Sequence, residues 1–316
     1  MTVQPATKPW KAPKISWKED FRKNKIAYLF FLPAFFYFLI FHYIPMSGIA
    51  IAFQDYSLTK GIFGSDWVGW MNFEELFLDE SFLLVLRNTV AMALLNLTLG
   101  FTFPIIFALL LSEIRSETLR RALQVTSYMP HFVAAVVVCK LVTEFLSANG
   151  AVTALLTSLG LERQNWLANG EVPVFWLINC FTEIWQEIGF GSIIYVAAIS
   201  NVSTDYHEAA AIDGANRWTR MVRITLPCIK PIVMMMFVLK CGLFFTQGFD
   251  KVLLLYMPST YDTADCLTTF TYRMSFSGRP NYGLSTASGL FQSVASLILL
   301  IVSNTASRKL TDSALF

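Results

Sequence analysis

Charge is scarce in this sequence. Asp, Glu, Lys and Arg together make up 15% of its 316 residues, too little polar surface for a soluble domain of that length. Histidine is scarcer still. His42, His131 and His207 are scattered without metal-ligand spacing and read as interface or packing residues. Cysteine forms no framework. Cys139, Cys180, Cys228 and Cys241 lie in or beside apolar runs, and Cys266 falls alone in a polar loop, so no disulfide scaffold is implied. The pattern G-x-x-x-x-G-K-[ST] is absent, so the chain has no P-loop with which to bind ATP itself. No Ser/His/Asp or metal constellation occurs, which leaves a membrane-embedded enzyme without a catalytic set. Short-period repeats and low-complexity tracts are lacking too.

What the chain does have is apolar length. Hydrophobic residues make up 55% of it, with 28 Phe and 8 Trp, and the mean hydropathy is +0.52. This is the composition of an integral membrane protein with aromatic interface anchors. A helix needs about 20 apolar residues to cross the hydrocarbon core, and six candidates are present: Ile26–Ile44, Leu84–Leu111, Ala122–Phe145 (interrupted by Pro130), Val172–Ser200, Ile229–Phe249 and Leu284–Ser303. The first follows a basic stretch, is longer than a signal-peptide core and has no small-residue cleavage site behind it, so it reads as a retained span. The expectation is an all-α membrane protein with six transmembrane helices.

Charge distribution sets the orientation. With the N-terminus in the cytoplasm, sixteen Lys and Arg fall on inside segments and six on outside segments, and only Lys140 and Lys240 lie within spans. By the positive-inside rule both termini are cytoplasmic. The chain then divides into a basic arm over residues 1–25, a transmembrane region over 26–306 with a cytoplasmic loop at about 201–228, and a short tail over 307–316. The arm is read as a topology signal that contacts lipid headgroups rather than nucleic acid. The outer loops 45–83, 146–171 and 250–283 exceed simple turns and carry Trp67, Trp70, Trp166 and Tyr261. Docking an outside partner and capping the helix bundle both remain open as their role.

The loop between spans four and five, "HEAAAIDGANRWTRMVRITLP", is polar and basic between two very apolar runs. Asp205 followed by Glu208 has the spacing of a capping box. A helix from there places Tyr206, Ala209 and Ala210 on one face, where small residues permit close approach. Gly214 can end that helix in a left-handed turn. A second amphipathic piece, Asn216 to Thr225, sets Trp218, Met221 and Val222 on its apolar stripe, with Arg217, Arg220 and Arg223 toward headgroups. Pro227 is expected to break the chain before span five. Local physics alone leaves two readings open, an ordinary amphipathic loop or a rigid knob on a membrane-surface strut.

The residues Glu208, Ala209, Ala210, Asp213, Gly214, Ala215, Ile224, Leu226 and Pro227 resemble the cytoplasmic coupling motif of ABC importer permeases. The segments "YMPHFVAAVVV", "IWQEIGFGSIIYVAAIS", "ITLPCIKP" and "ASGLFQSVASLILLIVSN" extend the resemblance from about Lys25 to the C-terminus. They are similar to the polysaccharide and oligosaccharide permeases of the carbohydrate group, whose relatives include permeases for alginate and pectin-derived oligosaccharides. The sequence departs from that group at "FVAAVVV", where an aromatic is expected near Ala134–Ala135. The resemblance implies a type I ABC importer permease fold in a bacterial cytoplasmic membrane, and alternating access as the mechanism. It implies coupling to an ATPase through Asp205, Glu208, Ala209, Ala210, Asp213 and Gly214. The partners it implies are a second homologous permease, two ATP-binding subunits that bind the ATP and Mg, and an extracellular or periplasmic solute-binding protein.

Polar groups inside the spans mark a possible pathway, because they are costly there and face a bundle interior or water. Glu183 and Glu187 share a helical face with Gln186 beside them. Lys240, near the middle of span five, is a candidate partner for them, with structural pairing, substrate contact and gating all open. Lys140 and Glu144 are four apart. Lys140 either snorkels outward or offers a cation to a uronate-bearing sugar. Phe245, Gln247 and Asp250, with Phe244 and Phe249, form an aromatic and polar cluster suited to sugars, although phenylalanines in a membrane helix also serve as packing. The competing function is an ion-coupled secondary transporter that uses Glu183, Glu187 and Lys240 as a relay. Such proteins show matched pairs of broken helices, and none is evident in the sequence.

Overall fold

The computed structural model describes residues 16–246 and 248–311, the side chains of residues 310 and 311 excepted. Gln247, Lys8, Lys11, Lys14 and residues 312–316 of the tail lie outside that set. The described chain is helical apart from one ribbon, in which β1 (Gln54–Asp55) pairs antiparallel with β2 (Asp66–Trp67). It comprises two units, residues 1–50 and residues 51–316. In the first, the short helix Trp17–Lys23 carries Asp20, whose carboxylate accepts a hydrogen bond from the Tyr28 hydroxyl. The helix α1, Lys25–Phe53, is long and apolar enough to cross a membrane.

The second unit carries the remaining spans. α2 (Glu80–Ser112) is long and apolar enough to cross a membrane and passes through a π-turn at Asn96–Gly100 before Pro104. A widened turn next to a proline is a recurrent way to relieve a missing N–H donor. Span three is interrupted at Pro130 as expected, but its bounds differ from Ala122–Phe145: it comprises two helices, α3 (Glu117–Tyr128) and α4 (Ala135–Leu146). A 3₁₀ turn at Met129–Phe132 and extended backbone at Val133 and Ala134 separate them. Pro130 lies in that turn and has no N–H with which to continue the α-helical hydrogen-bond ladder. The apolar crossing is Ala135–Ser158, which includes α4 and the short helix Ala151–Ser158.

α5 (Val174–Ser200) is one unbroken helix of 27 residues. Five helices in the described chain meet the length and apolarity of a membrane span, and α5 is not among them. Its length suffices, but Asn179, Glu183, Gln186 and Glu187 dilute its apolar character. α6 (Thr204–Ile212) follows, then α7 (Arg217–Gly242), which is continuous through a π-turn at Met221–Thr225. Pro227 therefore does not break the chain as expected. It sits in the turn that follows the π-turn, where the helix has already widened. α7 ends at Gly242 rather than Phe249. Irregular turns over 243–246 lead to α8 (Phe249–Leu255). α9 (Leu267–Phe276) and α10 (Tyr282–Thr311) complete the unit.

Helix association in lipid rests on close packing and interhelical hydrogen bonds rather than on a hydrophobic driving force. One cluster joins Ile105, Ala108 and Leu109 of α2 to Tyr195 of α5 and Met221 of α7. Another joins Phe82 and Val85 of α2 to Leu267 and Phe270 of α9 and Leu284 and Ala287 of α10. At Gly189 a Cβ would lie 2.1 Å from the Ser127 carbonyl oxygen, so α5 approaches α3 at a distance that only glycine permits.

Polar bonds fix the segment before α9. Buried Asn88 donates to the carbonyls of Asp262 and Asp265, each at 3.1 Å, and Trp176 Nε1 donates to the Thr263 carbonyl at 2.7 Å. Asp265 is buried, accepts from Thr269 Oγ1 at 2.6 Å and lies 2.7 Å from Arg273 Nη2, an ion pair outside hydrogen-bond geometry. Burial pushes its carboxyl above the usual range, and Thr269 and Arg273 oppose that shift.

Candidate functional site

Two constellations emerge, an exposed knob and a half-buried cleft. The knob is α6 and its flanks. Its N-cap is Ser203, whose Oγ accepts from the Asp205 amide at 3.2 Å. The expected capping box at Asp205 and Glu208 is not formed. The helix begins two residues earlier than that pairing requires, so Asp205 lies within its first turn. There its carboxylate faces the positive end of the helix dipole.

At the far end, Ala215 N donates to the Ala210 carbonyl at 2.9 Å and Gly214 N to the Ala211 carbonyl at 3.1 Å. Gly214 has φ +79°. This is a Schellman stop with Asp213 as C-cap, and it needs the left-handed conformation open to glycine. Glu208, Ala209 and Asp213 are exposed and Ala210 is half-buried. Tyr206 and Ile212 are also exposed.

The strut behind the knob begins at Asn216, whose Oδ1 accepts from the Thr219 amide at 2.8 Å. Trp218, Arg217 and Arg223 are exposed, as expected of a mooring face. Met221 is instead buried against α2 and α5. Arg220 also departs from its expected place: its Nη1 reaches back 3.4 Å to the His207 carbonyl, tying strut to knob.

The cleft has a volume of about 370 Å3 and is lined by Ala135, Glu183, Gln186, Glu187, Thr246, Gly248, Phe249, Asp250 and Lys251. It lies where two backbone breaks meet the polar face of α5. The first break, between α3 and α4, frees the Val133 carbonyl, and Gln186 Nε2 donates to it at 2.9 Å. Non-helical backbone at membrane depth is tolerated where a neighbour satisfies it in this way. His131, in the same break, places Nδ1 3.0 Å from Glu187 Oε2 and stacks on Phe190 with centroids 3.8 Å apart. Lys251, in the first turn of α8 just beyond the second break, is buried and ion-paired with Glu183.

Among the residues expected in a pathway, Glu183, Gln186, Glu187 and Asp250 come together here. The others do not. Lys240 is half-buried, is not in the lining and forms no ion pair among the described residues. α7 ends just after it, and Lys251 takes the place it was expected to fill. Lys140 pairs with Glu144 at 2.6 Å with both side chains largely exposed, so it faces away from the cleft lining. Phe245 packs edge-on against Phe244 and Phe291 and belongs to the core. Lys251 and His131 are the functional residues that sequence reasoning missed. Lys251 reads there as an outer-loop cation; Gly242 and Gly248, the latter at φ +89°, were the available signals of the break that turns it inward. For His131 the adjacent Pro130 was the available clue.

The fold and the knob define the membrane-spanning component of a binding-protein-dependent importer. Residues 100–310 match the family described as binding-protein-dependent transport system inner membrane component, and the chain belongs to that family. It is 37% identical over 303 residues to protein LplB of Bacillus subtilis strain 168, covering 96% of this chain and 94% of that protein. It is 38% identical over 295 residues to the polygalacturonan/rhamnogalacturonan transport system permease protein YteP of the same strain, covering 93% and 91%. Its fold matches a chain of a bacterial alginate ABC transporter solved in complex with an alginate pentasaccharide-bound periplasmic protein. The TM-score is 0.86 at 38% identity, covering 95% of this chain and 99% of that one. The protein therefore has the all-α, type I ABC importer permease fold and is a transport component of such an importer.

Proposed function

We propose that the chain is one of two permease subunits of an ATP-driven importer for oligosaccharides or polysaccharide fragments. That the cargo is a saccharide follows the relatives, whose names specify polygalacturonan, rhamnogalacturonan and alginate. The observation that carries the coupling is the knob. A short helix capped at both ends and tied back by Arg220 holds Tyr206, Glu208, Ala209 and Ile212 in the open. A stiff, small-residue surface of this kind suits insertion into a cleft on an ATP-hydrolysing subunit. The basic residues beside it put it in the cytoplasm by the positive-inside rule, with both termini on the same side.

In this account the ATP and Mg belong to the partner subunits, a solute-binding protein delivers cargo from outside, and the cleft is this chain's share of an alternating-access pathway. The ion-coupled alternative loses support, because Lys240 stays apart from Glu183 and Glu187 while Lys251 neutralises Glu183. Co-purification with the ATPase and ATP-dependent uptake in vesicles test the proposal. Glu208→Lys is expected to abolish both, and Gly214→Pro to abolish uptake while the ATPase still co-purifies. Undiminished uptake under a pH gradient after ATP depletion contradicts it.

A further inference from the structure

The lining of the cleft is unbalanced in its hydrogen-bonding groups. It holds three carboxylates, Glu183, Glu187 and Asp250, and a single ammonium, Lys251, which is buried and already paired with Glu183. Gln186 is 5% exposed. Its Nε2 is spent on the Val133 carbonyl, and its Oε1, buried, has no partner. A buried amide oxygen without a donor is a standing cost. Thr246 Oγ1 donates to the Leu243 carbonyl. Among the described residues the cleft therefore offers acceptors in excess and no uncommitted cationic donor. His131 adds a nitrogen to Glu187 from the adjoining break, but it lies outside the lining.

We infer that this cleft selects the neutral, hydroxyl-rich face of a saccharide and disfavours a uronate, an inference that rests on the cleft being part of the sugar pathway. A glycosyl unit brings several O–H donors. Two adjacent hydroxyls can serve the two oxygens of Asp250 or Glu187, and one more can satisfy Gln186 Oε1. Phe249, in the same wall, supplies an apolar face for the C–H side of the ring. A uronate carboxylate brings acceptors where acceptors already crowd. It can reach Lys251 only by displacing Glu183, and it then leaves that carboxylate unpaired beside it. The groups facing the cleft from α5 and from the start of α8 are all counted in this balance, and α4 contributes only Ala135. The relatives named for acidic polymers lead to the opposite expectation for cargo, so the two accounts are separable.

Equilibrium binding to the assembled, nucleotide-free importer in lipid nanodiscs tests this without a solute-binding protein as an earlier filter. The probes are α-1,4-galactotriose and α-1,4-trigalacturonate, which share ring stereochemistry and differ at C6. Galactotriose is expected to bind at least about tenfold more tightly, the size of effect a single like-charge contact produces. Asp250→Asn, at an exposed position that leaves packing intact, is expected to narrow that ratio by improving trigalacturonate binding. Gln186→Leu is expected to weaken galactotriose binding and spare the residual trigalacturonate binding. Trigalacturonate binding as tight as galactotriose, or tighter, overturns the inference and leaves the saccharide pathway standing. Failure of both sugars to bind overturns the pathway reading, and the inference with it.

Discussion

Ile212 on the knob is 87% exposed, while Lys251 in the cleft is 9% exposed. Both regions lie at interruptions in the helices, yet the interruptions are stabilised differently. At the knob the chain leaves and re-enters helix through local, water-accessible caps: Ser203, the Schellman turn at Gly214, and Asn216. Each freed backbone group is satisfied by a neighbour in sequence. At the cleft the first break is satisfied from a distance, by Gln186 on the Val133 carbonyl, and the segment after the second break is held to α5 by the Glu183–Lys251 ion pair. A local device can move as a rigid piece when pushed. A device built from contacts between α5 and two broken segments changes when those segments shift. This is the division expected of a protein that receives force at one place and handles cargo at another.

Substitutions at the two regions should therefore separate. The largest effect falls on the cleft. Glu183→Ala leaves the Lys251 ammonium buried without its partner and should cost about 3–5 kcal/mol of stability, read as a lower melting temperature in detergent. Glu183→Ala combined with Lys251→Met should recover much of that loss, because no buried charge is then left alone. Next is Gly189→Ala, whose methyl would meet the Ser127 carbonyl oxygen at 2.1 Å. It should cost about 1–3 kcal/mol and splay α3 from α5, while ATPase association at the knob persists. Ser203→Ala removes the knob's N-cap and should cost about 1 kcal/mol of local helix stability. Hydrogen exchange over Thr204–Ile212 should show that loss, and the melting temperature of the spans should stay unchanged. The smallest effect is Lys140→Ala. Its pair with Glu144 is exposed toward the outer end of α4 and outside the cleft lining, and Lys140 can snorkel to the interface, so neither stability nor uptake should change measurably. If Ser203→Ala lowered the melting temperature as much as Glu183→Ala, the separation of the two regions would fail.

Much of the knob was legible because its structure is local. The left-handed stop at Gly214 follows from one glycine at the end of a short amphipathic run, and the polar face of α5 follows from the four-residue spacing of Glu183 and Glu187. Errors of register came from local competition, as where Ser203 outcompetes Asp205 for the cap. The cleft was only half legible. Its α5 wall is a matter of periodicity, but its other walls depend on where α7 stops and where span three reopens. Pro130 announced the reopening without revealing that His131 and Val133 would be bonded across it. Gly248, at φ +89°, marks the second break, but a glycine alone does not show which way the chain turns after it. Lys251 therefore read as a loop cation, and Lys240 as the intramembrane one. Tertiary contact decides both.

The central claim is that the knob transmits and the cleft receives. Cargo-stimulated ATP hydrolysis by the fully assembled importer, wild type against Gly214→Pro, tests it most directly. Proline cannot adopt the left-handed conformation that the stop requires. The account predicts that the variant binds saccharide at the cleft as the wild type does and loses stimulation of hydrolysis by cargo. Retention of full stimulation in the variant would contradict it.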